Sequence, residues 1–271
     1  MRRRALSWCA LLVLGGFAQP GAAQGAHQVW DRLLRLYVRS DGAVDYEAFR
    51  ADTALLRRYL DRLDRFSLSR ASTAQRAAYW INFWNAATVY AVLLDAPRRS
   101  VLEGHGLLGL HIPGWRSFWD APRFKRLGRP ISLRSIYDSL RALERDPRWL
   151  FALYRPARGG PPLRPEAYRA ERLEEQLEDQ VRLFLRRYNR IPDSPRTIRL
   201  SRLFEWHAGL FARRAGSVQR WLAPYFEGSV AARLAYNGYR IRYLPYDWSL
   251  DQPTSRRVSH DAARRRSGPR L

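Results

Sequence analysis

The sequence is organised around an uncharged stretch from Tyr79 to Leu94, which reads Tyr-Trp-Ile-Asn-Phe-Trp-Asn-Ala-Ala-Thr-Val-Tyr-Ala-Val-Leu-Leu. The stretch contains neither Gly nor Pro, and Pro97 supplies a usual helix stop shortly after it. A helix of this composition is apolar on nearly all sides, so we expect it in the middle of a core. A transmembrane helix is the weaker interpretation, because the run is shorter than about 20 residues and carries two Asn side chains.

Those two amides are the first candidate site residues. Asn82 and Asn85 are three positions apart and therefore face roughly the same side of the helix. A buried carboxamide without partners costs about 1–3 kcal/mol, so both side chains should be hydrogen-bonded. The favoured interpretation is that they tie adjacent loops to the helix, and the sharper one is that they line a pocket and contact a ligand.

The remaining pattern predicts an α+β fold, a mostly helical single domain over residues 24–252 with a small antiparallel sheet. Arg126-Leu127-Gly128-Arg129 predicts the turn of a small hairpin, with its strands at Trp115 to Phe118 and Phe124 to Ile131. Further helices are predicted over 27–38, 47–66, 133–144, 171–188, 203–211 and 218–226, and strands over 197–200 and 239–244.

The amino terminus is typical of a secretory signal peptide, predicted over residues 1–23. Arg2-Arg3-Arg4 is a basic region, an apolar run follows, and Gly21-Ala22-Ala23 supplies the small residues of a cleavage site. We therefore expect a periplasmic or secreted protein. Cys9 is the only cysteine and would leave with the signal, so the mature chain should have no disulfide and no cysteine nucleophile.

The chain is strongly basic, with a formal net charge of +23 at pH 7. Lys125 is the only lysine, and this general bias towards arginine weakens arguments from any single arginine. Such a charge could hold an exported protein against an anionic envelope component, whereas nucleic acid is a poor partner for an exported chain. A small-molecule ligand is the other possibility. Residues 253–271 are predicted to be a basic, disordered tail, no further segment suggests a membrane span, and the oligomeric state stays open.

Five motifs along the chain resemble, in order, those of the domain of unknown function 547 family. The first is Trp80-Ile81-Asn82-Phe83-Trp84-Asn85-Ala86, similar to the family's Trp-Ile-Asn-x-Tyr-Asn-Ala. The others are Gly160 to Leu163, Arg172 to Leu177 with Phe184-Leu185, Leu200 to Trp206, and Tyr246 to Leu250. The resemblance extends from about Gly42 to Asp251 and implies a fold more clearly than an activity.

The departures from the family pattern bear on function. Where the family has Asn-Cys-Ala-Ser-x-x-Cys, this chain has Tyr154 to Gly160, with Arg155 and Gly160 in place of the cysteines. The family's Glu-His pair corresponds to Tyr137-Asp138. A Cys and a His are the composition of a thiolate nucleophile and its base, so the resemblance implies a degenerate member that lacks both. Arg155 and Asp138 are predicted to form an ion pair if the pocket is closed. In the favoured open pocket, Arg155 is free to bind an anionic ligand.

The function favoured by the sequence is ligand or partner binding by an exported, non-catalytic member of the family. The alternative is a periplasmic hydrolase or transferase with a site around Asn82, Asn85, Glu205 and His207, and a structural envelope protein is the third possibility. Asp247 and Arg155 complete the candidate ligand-binding residues. A Ser or Asp within hydrogen-bonding distance of His207 would favour the enzyme, and a groove joining the two amides to Arg155 would favour binding.

No cofactor and no metal site is predicted. His105 and His111 are six residues apart in a Gly- and Pro-rich segment with no carboxylate between them, which is a weak pattern for metal binding.

Overall fold

The computed structural model describes residue 25 and residues 27–103, 118–143 and 146–253. Its central element is the predicted helix, which spans Thr73–Asp95. Ser72 caps the amino terminus in a capping box: its side chain accepts from the Gln75 N–H, and the Gln75 side chain accepts from the Ser72 N–H. Ala96 ends the helix in a left-handed conformation, directly before Pro97. The sequence predicts a cap at Ser72 or Thr73 and a stop at Pro97, and both predictions are confirmed.

This central helix is buried as predicted. Ile81, Phe83, Ala86 and Ala87 are fully buried, and the buried residues around them form one hydrophobic cluster. Packing against the central helix comes from the helices directly before and after it in the chain. The uniform apolar surface of the stretch is thus explained, because protein covers it on nearly every side.

The chain before the central helix differs from the prediction in two respects. The sequence predicts an apolar face of Val29, Leu33, Leu34 and Leu36 on the first helix. Leu33 and Leu34 are buried, but Leu36 is exposed and Trp30 is buried in addition. The predicted 47–66 helix is split by a 3-10 turn at Arg50–Asp52, where Tyr37 hydrogen-bonds to Asp52. The helices are α1 Gln28–Tyr37, α2 Tyr46–Phe49, α3 Thr53–Arg65 and, as the central helix, α4 Thr73–Asp95.

A small hairpin follows, with strands β1 Phe124–Arg126 and β2 Arg129–Ile131 in antiparallel register. Leu127 and Gly128 both have positive φ, as a two-residue hairpin turn requires, and their N–H groups bond to Asp64 on α3. Ser132 then accepts a hydrogen bond from the Ser135 N–H and starts α5, Leu133–Leu143, as predicted.

The rest of the chain alternates short helices with a second sheet. The elements are α6 Trp149–Ala152, α7 Leu173–Tyr188, β3 Arg190–Ser194, β4 Thr197–Ser201, α8 Arg202–Trp206, α9 Ala208–Ala215, α10 Val218–Leu222, α11 Gly228–Ala235 and β5 Arg240–Leu244. The predicted 203–211 helix is interrupted at His207, between α8 and α9.

The α+β class is confirmed, but the sheet is not purely antiparallel. Strand β4 pairs antiparallel with β3 and parallel with β5, so this sheet is mixed. The parallel pair is possible because helices α8 to α11 form a long crossover between β4 and β5. The antiparallel prediction holds for the hairpin and for the pairing of β3 with β4, but not for the pairing of β4 with β5.

Several predictions fall on residues that the structure does not describe. They concern the signal peptide, His105 and His111, the strand residues 115–117, and the basic tail beyond Pro253. Among the described residues, no helix combines the length and apolar character needed to cross a bilayer.

Candidate functional site

A cavity of about 450 Å³ opens between α4, α5 and the junction of α8 with α9. Its walls are aromatic, since Trp84, Trp119, Tyr137 and Trp206 all line it. The rings of Trp84 and Trp119 stack with centroids 5.6 Å apart and planes inclined by 7°, and Tyr137 tilts against Trp84 at 6.1 Å. Flat apolar walls of this kind suit a ligand that contains a ring.

The same cavity is lined by four arginines, and its described lining contains no Asp or Glu. Arg134 is neutralised at the rim by Asp120, 2.6 Å away. Arg141, Arg155 and Arg213 form no ion pair with any residue that the structure describes. A guanidinium keeps its charge at all ordinary pH values, so this concentration of uncompensated positive charge favours an anion.

Arg155 is presented to the cavity by a fixed backbone. The peptide groups of the preceding residue, Tyr154, are held on both sides by α4: Asn85 Oδ1 accepts from its N–H at 2.9 Å, and Trp84 Nε1 donates to its carbonyl at 2.8 Å. Its hydroxyl bonds to Tyr46 at 2.7 Å. The central helix therefore sets the position from which the Arg155 side chain extends.

The Arg155 guanidinium lies between an imidazole and an indole. One of its terminal nitrogens is 3.4 Å from His207 Nε2, and its central carbon is 5.9 Å from the Trp206 ring centre. Because a guanidinium can only donate, His207 Nε2 must accept, which places the imidazole proton on Nδ1. That nitrogen lies 3.4 Å from the Tyr137 hydroxyl and donates to it. The Tyr137 hydroxyl, which accepts from His207, can therefore donate its own hydrogen to a ligand in the cavity.

The titration of His207 agrees with this arrangement. Burial first, and then the positive charges of Arg155 and Arg141, lower the pKa of His207 to about 4. The imidazole is therefore neutral at pH 7 and acts as an acceptor for Arg155, not as a second cation. The groups that face the cavity are in consequence hydrogen-bond donors almost throughout.

The segment that carries Trp84 and Arg155 has recognisable relatives. Residues 68–185 match the family described as Protein of unknown function, DUF547. The predicted resemblance is confirmed over these residues, a shorter span than the one from Gly42 to Asp251 in which the motifs were found. No curated protein and no solved structure matches the chain.

The DUF547 segment supplies only part of the cavity. Trp84, Tyr137 and Arg155 lie inside the matched residues, whereas His207 and Arg213 come from chain that follows them. Within the segment, the two positions where the DUF547 resemblance implies cysteines are adjacent in space: a Cβ built on Gly160 would lie 2.8 Å from Arg155 Cβ and 2.8 Å from the Tyr246 hydroxyl. Position 160 therefore has no room for a side chain beside this arginine.

Four of the sequence-predicted site residues lie outside the cavity lining. Asn82 is fully buried and holds Tyr168, accepting from its N–H at 3.0 Å and donating to its carbonyl at 2.8 Å. Asn85 holds Tyr154, as described above, and donates to the Ala152 carbonyl at 3.0 Å. Exposed Glu205 pairs with Arg202, and the Asp247 carboxylate accepts from the Ser249 N–H. Only Arg155 and His207 come together at the cavity.

The ion pair between Arg155 and Asp138, which was expected for a closed pocket, is not formed. Among the described residues no salt bridge joins them, and Arg155 turns instead towards His207 and Trp206. The reason lies in α5: Tyr137 faces the cavity together with Arg134 and Arg141, and the next residue along a helix points elsewhere. In the described part of the chain, His207 has Tyr137 and Arg155 as its side-chain hydrogen-bond partners and neither a Ser nor a carboxylate.

The sequence contained a signal for three of the missed residues. Arg134, Tyr137 and Arg141 follow the i, i+3, i+7 spacing of one helical face, which could have marked a donor-rich surface on α5. Trp119 and Arg213 had no such signal, because only tertiary packing brings them to Trp84 and His207.

A second cavity, of about 560 Å³, lies beside α1 and the start of α4. It is larger, but its lining carries charges of both signs, since Asp31 and Glu171 accompany the arginines. Asp31 accepts from Arg35 and from the Ala167 N–H. Its His27 hydrogen-bonds to Tyr59 at 2.7 Å, and burial lowers the pKa of His27 to about 4. The mixed signs of charge in this lining select an anion less clearly than the cavity around Arg155, whose described lining has no carboxylate. Within the described residues, neither cavity holds a cluster of His, Cys, Asp and Glu that could bind a metal.

Proposed function

We propose that this protein is an exported, non-catalytic binding protein whose ligand is a small organic anion held in the cavity around Arg155. The observation that supports it best is charge without compensation: Arg141, Arg155 and Arg213 meet at aromatic walls where the described lining has no carboxylate. An anion there would gain charge-assisted hydrogen bonds in a partly desolvated setting. Export, and with it a periplasmic or secreted location, rests on the signal-like amino terminus alone.

The hydrolase alternative has little to support it. The residues chosen for it, Asn82, Asn85, Glu205 and His207, are not brought together, and His207 is occupied by Arg155 and Tyr137. A base needs a nucleophile within hydrogen-bonding reach, and here its Nε2 accepts from a permanent cation. Binding therefore accounts for the arrangement better than proton transfer does.

The test compares Arg155→Met with the matched control Arg129→Met, an exposed arginine of the hairpin outside the cavity. Calorimetry at pH 7 and low salt should show that the native chain binds phenyl phosphate and benzoate, and that it does not bind neutral benzyl alcohol. We expect Arg155→Met to lower the affinity for both anions at least tenfold, which is about the contribution of one charge-assisted hydrogen bond. Equal affinities for the two variants, or equal binding of benzyl alcohol, would contradict the proposal.

A further inference from the structure

An aromatic surface continues outward from the cavity. It is formed by Trp206, Tyr246 and Trp248, and we call it the aromatic shelf. The Tyr246 ring contacts both indoles, with its centre 4.9 Å from that of Trp206 and 4.6 Å from that of Trp248. Trp206 keeps 41% of its surface exposed while it also lines the cavity. A large exposed indole joined to further aromatic rings marks a binding surface more often than a core defect.

The shelf is rigidly connected to Arg155. The backbone N–H groups of Arg158 and Gly159, just after this arginine, donate to the carbonyls of Ser249 and Asp247 at 2.8 and 2.9 Å. Residues 246–251 form a strip that carries two rings of the shelf. At its far end this strip is fixed by the Leu250 N–H, which donates to the Arg99 carbonyl, and by the Asp251 carbonyl, which accepts from the Val44 N–H. One ligand could therefore contact Arg155 and the shelf at a constant separation.

The geometry of the shelf restricts what it can bind. The centres of Trp206 and Trp248 are only 6.0 Å apart, and Tyr246 packs against both indoles. No planar ring can insert between the two indoles, because insertion needs roughly twice a 3.5 Å contact distance. The shelf offers one-sided contact only. A sugar ring suits such a surface, since it has a face of C–H groups to lay on an indole and hydroxyls at its edge that stay in water.

We propose that the ligand is an acidic oligosaccharide, with one carboxylate held by Arg155 in the cavity and the next sugar rings lying on Trp206 and Trp248. This inference rests on the proposed function and adds the class of ligand. The formal net charge of the chain is +23, or +20 without the three arginines of the expected signal peptide, and it complements a polyanionic ligand beyond the single group that the cavity holds.

Calorimetry with galacturonate, trigalacturonate and neutral maltotriose tests the proposal. We expect trigalacturonate to bind at least tenfold more tightly than the monomer, and maltotriose to bind more weakly than either. Trp248→Leu keeps apolar bulk without a flat ring and should remove most of the gain of the trimer over the monomer. Trp248→Ala, checked by its melting curve, should do the same. The matched control Trp80→Leu, outside the cavity lining, should leave the gain unchanged.

The two proposals fail in different ways. If phenyl phosphate binds through Arg155 but trigalacturonate gains nothing over galacturonate, or keeps its gain in both Trp248 variants, the oligosaccharide inference is overturned and anion binding stands. If neither phenyl phosphate nor galacturonate binds, or if their binding is indifferent to Arg155→Met, anion binding is overturned and this inference with it.

Discussion

At the scale of single residues, buried amides act as clamps on backbone. The Asn82 side chain hydrogen-bonds to both the backbone N–H and the backbone carbonyl of Tyr168, and Gln219 does the same for Tyr239. Asn85 joins Ala152 to Tyr154 in a similar way. An amide supplies one donor and one acceptor side by side, so it can satisfy an unpaired peptide edge inside a core. The interpretation that the two asparagines tie loops to the helix fits this geometry, and Asn85 gains a functional consequence because it fixes the residue before Arg155.

Asn85→Ala should therefore affect both stability and binding. It leaves the Tyr154 N–H and the Ala152 carbonyl buried without partners, and each unsatisfied group costs about 1–3 kcal/mol. We expect a loss of about 2–4 kcal/mol in urea unfolding, together with weaker binding of phenyl phosphate by the fraction that stays folded. Asn82→Ala is the matched control, since it leaves the N–H and the carbonyl of Tyr168 unpaired, and Tyr168 does not line the cavity. A comparable loss of stability with unchanged binding is expected for it. If both variants bind like the native chain, Asn85 does not position Arg155.

At the scale of elements, α4 both fills the core and positions the loop of the cavity. Its Ile and Ala residues fill the core, while Trp84 and Asn85 hold the loop that presents Arg155. Burial of this helix could be predicted from the sequence because an uncharged, Gly-free run with a cap and a stop admits few other environments. Its role at the cavity could not be predicted, because it depends on which loop packs against Trp84.

Trp84→Ala tests the burial of α4. The side chain is 4% exposed, stacks on Trp119 and donates a hydrogen bond to Tyr154, so its removal should cost about 3–5 kcal/mol. Trp80→Ala, one turn earlier on the same helix, is the matched control. Trp80 is only half-buried and should cost less. Thermal melting of both variants distinguishes the cases: a melting temperature near that of the native chain for Trp84→Ala would contradict the buried position of this indole.

At the scale of the whole molecule, local patterns predicted the elements and long-range contacts decided the rest. The periodic helices and the hairpin turn at Leu127-Gly128 could be predicted from the sequence, because helix caps and tight turns depend on a few adjacent residues. The parallel pairing of β4 with β5 was not, because the two strands are separated by four helices. For the same reason the sequence found Arg155 and His207 separately, with no indication that they meet.

Asp251 connects this long-range packing to pH. It ends the strip that carries the aromatic shelf, its carboxyl is 2% exposed, and its Oδ2 has no hydrogen-bond partner among the described residues. Burial raises the pKa of Asp251 to about 7, although Arg187 and Arg158 oppose the shift. The folded chain therefore holds a proton here between about pH 4 and 7 that the unfolded chain has lost. Stability from this group is present at acidic pH and declines as pH rises through that window.

Asp251→Asn should consequently stabilise the protein in a pH-dependent manner, because the amide resembles the protonated acid and never ionises. We expect its unfolding free energy to equal that of the native chain near pH 4, and to exceed it increasingly up to pH 7. Above pH 7 the excess should level off on the order of 3 kcal/mol. Urea unfolding from pH 4 to pH 9 measures the difference, with Asp247→Asn, an exposed carboxylate of the same strip, as the matched control. Parallel curves for Asp251→Asn and the native chain would show that this carboxyl ionises as freely in the folded state as in the unfolded one.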